Sequence, residues 1–170
     1  MIGPGACTIF RGAARIDGFA WIELRLSALT GAWIHDEPDD HRKLRFATDG
    51  GRHAGHAQDW LALRPLIPGY PREALPQPPW ADAARTFATF AATAGDDRIG
   101  AYYGVLLPWV VSTYRAHLDD TSPVADGPVR RVLTGTVQGY EHVGFAEGLR
   151  DVPDGLPWLP PLSEWHESAA

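Results

Sequence analysis

The sequence predicts an all-α protein, a four-helix bundle built from two antiparallel helix pairs joined by a long proline-rich crossover. Three observations carry this prediction. Apolar residues recur at steps of three and four in four long segments. Residues 64–79 hold six prolines, which no helix tolerates and no turn between neighbouring helices needs. Strand-type alternation is nearly absent.

In the first helix, at about 10–34, Phe19, Ile22, Leu26, Leu29 and Trp33 form one buried stripe. Pro38, Asp39 and Asp40 read as the acidic first turn of a second helix that runs to about Leu63. Phe46, Gly50, His53, Ala57 and Trp60 share its inner face. After the crossover, a short helix fits Trp80 to Ala94, with Pro79 at its start and Gly95 past its end. Asp96 and Asp97 cap a third long helix to about Leu118, striped by Ile99, Tyr103, Leu106 and Val110 and kinked by Pro108. Asp126 caps a fourth, with Pro128 in its first turn, reaching about Asp151 on a stripe of Val132, Thr136, Gly139, Val143 and Ala146. The tail carries four prolines and two tryptophans, and is expected to lie extended across the bundle with Trp158 and Trp165 as anchors. One domain then spans 1–170, with the bundle at about 10–151 and the tail at 152–170.

Composition narrows the function classes. A chain of 170 residues, 45% hydrophobic and 21% charged, suits one soluble globular domain. Fifteen basic against 21 acidic side chains give a net charge of −6, which disfavours a nucleic-acid partner. Cys7 is the single cysteine, so an intrachain disulfide framework and a cysteine-rich zinc module are excluded, and a cytoplasmic location is expected. No apolar run approaches the roughly 20 residues of a membrane span, and the first residues lack the apolar centre of a secretory signal. Arg64, Arg72 and Arg85, around the crossover, read as surface charges.

The chemistry-bearing residues follow from the helix pairing. If helices one and two turn near residue 37, Glu23 lies opposite Gly50 and His53; if three and four turn near 121, Tyr102 and Tyr103 lie opposite Gly139 and His142. Glu23 falls in the middle of an apolar face, and a buried carboxylate there needs a partner. His56 stands three residues after His53, close enough to share an ion with it. Each histidine alone also reads as a hydrogen-bonded core residue, and each helix-interior glycine as a site of close packing.

The stretches DGGRHAGHA (Asp49 to Ala57) and QGYEHVGFAEG (Gln138 to Gly148) resemble the second and fourth helices of the ferritin-like superfamily. The resemblance implies a ferritin-like four-helix bundle in which Glu23 matches the first-helix carboxylate, His53 the second-helix histidine and His142 the fourth-helix histidine. In that family two iron or manganese ions sit between four acids and these histidines. This chain departs from the pattern: Gly50 and Gly139 stand where glutamates are wanted, and Tyr102 or Tyr103 where the third-helix acid falls. One carboxylate cannot offset two divalent ions in a dry core, so a di-metal centre is not expected.

Three readings stay open. In the first, the glycines vacate the metal volume, and no cofactor is needed. The cavity then binds a small hydrophobic molecule, lined by Gly50, Gly139, Tyr102, Trp109, Gln138 and His56, with Glu23, His53, His142 and Tyr103 performing acid/base chemistry such as isomerisation, cyclisation or elimination. In the second, Glu23, His53 and His142 hold iron as a reduced ligand set for an oxidase or oxygenase. In the third, the bundle is a non-catalytic structural or partner subunit, since a fold does not carry its function with it. A homodimer formed through an outer helix face fits each of them.

Overall fold

A computed structural model describes residues 8–66, 68, 70, 72–141 and 152–165, and the described residues are helical or irregular, with no strand among them. Their contacts group into two compact units, 1–84 with 164–170 and 85–163.

The first unit is built on α1 (Thr8–Asp36) and α2 (Asp40–Ala62), an antiparallel pair with a three-residue link. Both predicted stripes are buried, Phe19 to Trp33 on α1 and Phe46 to Trp60 on α2. Asp39, not Pro38, begins the second helix: its side chain accepts from the Arg42 backbone N–H at 2.9 Å, the usual N-cap bond. Glu37, buried in the link, accepts from the Asp39 N–H at 3.1 Å and so fixes the entry to α2.

Arg64 corrects the expectation of a surface charge. It is 6% exposed, and its Nε donates to Asp17 Oδ1 of α1 at 2.6 Å. Its Nη1 donates to the carbonyls of Arg72 and Ala74, both at 2.6 Å. One planar guanidinium thus ties the end of α2, the face of α1 and the proline-rich segment together. Tyr70, from the same segment, donates to the Ala13 carbonyl at 3.1 Å.

The second unit opens within α3, which spans Ala83–Ala91 and is shorter than predicted at both ends. Gly95 has a φ of +58°, a conformation glycine adopts without strain, and turns the chain into α4 (Asp97–Ile99). Asp96 makes no side-chain cap there; the buried Arg98 donates to the Thr93 carbonyl at 3.1 Å instead. The chain continues through a π-turn at Gly100–Leu106 into α5 (Leu107–Asp120). Pro108 has no N–H, and its ring would strike the carbonyl four residues back, so the helix ahead of it is widened into a turn in which Leu107 N–H bonds Tyr102 O.

A short link leads to α6, described over Gly127–Glu141 and packed on α5, with Tyr114 and Tyr140 stacked at 6.5 Å. Arg130 Nη1 closes the end of α5 by donating to the Leu118 and Thr121 carbonyls at 2.9 and 3.0 Å. Asp126 turns its carboxylate back to the Ser122 N–H at 2.7 Å, while its carbonyl accepts the first helical bond. The buried stripe of α6 is Leu133, Thr136, Val137 and Tyr140, rotated from the predicted Val132–Thr136–Gly139 line; Val143 and Ala146 lie outside the described residues. In the tail, Trp158 is 67% exposed and so is not the buried anchor expected, whereas Trp165 is 3% exposed.

Candidate functional site

Glu23 sits at mid-helix on the buried stripe of α1, and the antiparallel pairing sets it against His53 of α2, as the mirror argument predicts. His53 Nδ1 and Glu23 Oε2 are 2.5 Å apart, and both side chains are closed to solvent. His56, one turn further along α2 and 15% exposed, brings its Nδ1 to 3.6 Å from the other carboxylate oxygen, Oε1. Side chains three apart on a helix share a face, which is why one carboxylate reaches both rings.

Burial alone pushes the Glu23 carboxyl upward, since the charged form loses water. The charge and hydrogen bond of His53, followed by those of His56, outweigh burial and hold it at about 2 against the usual 4.5. The carboxylate is therefore ionised throughout the physiological range. When the imidazole is neutral, donation from His53 Nδ1–H fixes its tautomer, with the lone pair on Nε2.

Glu23, His53 and His56 offer one ligand atom each, all within 4.8 Å of one another, a cluster able to hold a metal ion. Its donors are one carboxylate and two imidazoles, which suit a first-row transition metal. The set fits one ion rather than two, because it contains a single acid. His56 thus joins Glu23 and His53 in the ligand-bearing group, as its spacing from His53 predicts; His142 lies outside the described residues.

Gly50 does not open a chamber. A Cβ there would lie 2.9 Å from Thr30 Oγ1 and 3.6 Å from the Ser27 carbonyl, so the missing side chain is the space into which α1 packs. Ser27 Oγ donates to the Gly50 carbonyl at 2.9 Å and fastens the close approach. Nearby Asp49, also buried, is paired with Arg52 at 2.6 Å.

The remaining candidates belong to the second unit. Tyr102 and Tyr103 are fully buried in the π-turn and meet edge to face at 4.7 Å. Trp109 Nε1 donates to the Pro160 carbonyl at 2.9 Å, which holds the tail. Gln138 is exposed, and Gly139 is half-buried with open space where a Cβ would be. Comparison with protein-family models, curated proteins and solved structures yields no match.

Proposed function

We propose that the chain is a degenerate ferritin-like protein that holds a single transition-metal ion, iron by the character of its donors, on Glu23, His53 and His56. The observation supporting this is the convergence of three ligand atoms within 4.8 Å, around a carboxylate that stays ionised although it is itself closed to solvent. Two imidazoles and one carboxylate are the donor set of mononuclear iron(II) oxidation sites, which keep further coordination positions open. Bound there, iron would supply oxidase or oxygenase chemistry on a small hydrophobic molecule. Glu23 supplies the negative charge, His53 the rigid second donor, and His56 the donor on the solvent side. Gly50 favours this reading over an enlarged organic pocket, since α1 already fills the space beside it.

A second reading rests on the 2.5 Å contact itself. A charge-assisted bond of that length orients His53 and strengthens it as a base without any metal. Metal analysis of protein purified without chelator separates the two. One iron per chain, lost in His53→Ala and Glu23→Gln, is the expected result. A wild-type protein that takes up no iron on anaerobic reconstitution overturns the first reading and leaves the second.

A further inference from the structure

Trp165 is buried, whereas the two residues before it, Ser163 and Glu164, are exposed. Its indole abuts α1 at Gly18, where a Cβ would stand 3.1 and 3.2 Å from the ring atoms Cζ3 and Cε3 and 2.9 Å from Pro79 Cβ. A side chain there would force the ring or Pro79 to shift. The indole packs on Phe19 with centroids 4.9 Å apart, Phe19 stacks on Trp60 at 4.8 Å, and Trp80 closes the side at 6.3 Å. Trp80 is only half-buried, so this wall reaches the surface.

Phe19, a wall of the slot, precedes Glu23 by one helical turn, and Trp60, stacked on Phe19, follows His56 by one turn. We propose that the slot is a binding site for a flat aromatic ring, with Trp165 as its resident occupant, displaced when such a molecule binds beside the cluster. This names the substrate class of the proposed metal site and rests on that reading for the chemistry done to the ring.

The notch at Gly18 and tilted ring contacts with Phe19 and Trp80, at 55° and 37°, define the slot, so a free aromatic ring competes with Trp165 on similar terms. A tethered occupant presents an effective concentration on the order of millimolar, which a free ring must match unless it also gains contacts at the cluster. Indole at millimolar concentration is accordingly the probe. Because indole and Trp165 exclude each other, indole should shift the tail to its released state and speed amide exchange at 163–165 by about tenfold or more in the wild-type chain. In Trp165→Ala the slot is vacant, and a tenfold excess of indole over its Kd should raise Tm by about 3–5 °C. If Trp165→Ala does not fold, Trp165→Phe takes its place, with faster tail exchange at lower indole concentration expected from the smaller ring.

Unchanged tail exchange in the wild-type chain overturns the proposal even if the alanine variant binds indole, because Trp165 is then permanent core. Absence of any indole effect on either variant overturns it as well. Iron content measured on the same samples keeps the two ideas apart: tail release without iron uptake removes the metal reading and retains the slot, whereas iron uptake without tail release does the reverse.

Discussion

Glu23 of α1 and His53 of α2 meet at 2.5 Å across the helix pair, and both are shut away from water. A carboxylate in such a place is tolerated only because it has a hydrogen-bonding partner at contact distance. His56 adds a second imidazole at 3.6 Å, so the pair becomes a cluster with the composition of a metal site.

The depressed Glu23 carboxyl makes stability pH-dependent. Its pKa is about 2 folded and near 4.5 in an unfolded chain, so the folded state binds fewer protons between those values. The contribution is fully present above about pH 4.5 and disappears as pH falls toward 2, amounting to about 3 kcal/mol. Urea unfolding from pH 2.5 to 7 should show this loss in the wild-type chain and a flatter profile in Glu23→Gln. Parallel profiles would mean that Glu23 is not the group responsible.

Gly50→Ala should destabilise the protein although alanine is the better helix former by about 1 kcal/mol. The new methyl would meet Thr30 Oγ1 at 2.9 Å, and Thr30 is held in place by the Leu26 carbonyl at 2.9 Å. Overpacking of this kind costs about 1–3 kcal/mol. Gly51 offers the control, being exposed with nothing within 4 Å, and Gly51→Ala should stabilise by about 0.5–1 kcal/mol. Thermal unfolding of the two variants, with Thr30→Ala added to relieve the first, decides the matter; equal gains at both positions would refute the close-packing account.

The hairpin of α1 and α2 was legible because both helices show clean apolar stripes and a short acidic break, which together set the pairing of Glu23 with His53. Arg64 was not legible: an arginine opening a proline-rich segment resembles a surface charge until Asp17 is seen to face it. The π-turn was hidden because apolar spacing through Gly100–Leu106 fits an ordinary helix, and only Pro108 hints at a disturbance. Gly50 was ambiguous in principle. A glycine facing another helix signals either closeness or vacancy, and only the position of Thr30 distinguishes them.

Arg64 should be among the costliest residues to change. Arg64→Ala leaves Asp17 buried without its cation, a loss of about 3–5 kcal/mol for a broken buried pair. Arg64→Lys should recover little, because one ammonium cannot reach Asp17 and the Arg72 and Ala74 carbonyls in the geometry of the planar fork. Limited proteolysis should then cut within 64–79 before the helices are attacked. A lysine variant with wild-type Tm and protease resistance would show that the guanidinium is not the tie.

Metal loading should be visible as stability, and His56 is the position that isolates it. His53→Ala removes both a ligand and the partner of a buried charge, so its fold suffers whether or not metal binds. His56 is partly exposed, and its loss leaves the 2.5 Å contact between His53 and Glu23 in place, so His56→Ala should fold normally. With anaerobic iron(II) at a hundredfold excess over its Kd, the wild-type chain should gain about 2.7 kcal/mol, or about 5–10 °C in Tm, and lose it on chelation. The gain should shrink as pH falls, because protons compete for the imidazole nitrogens. In His56→Ala, iron affinity should drop by about a hundredfold or more while the metal-free Tm stays within about 2 °C of wild type. Equal responses to iron in the two proteins would place the ion elsewhere, and no response in either would leave the Glu23–His53 pair as a metal-free device.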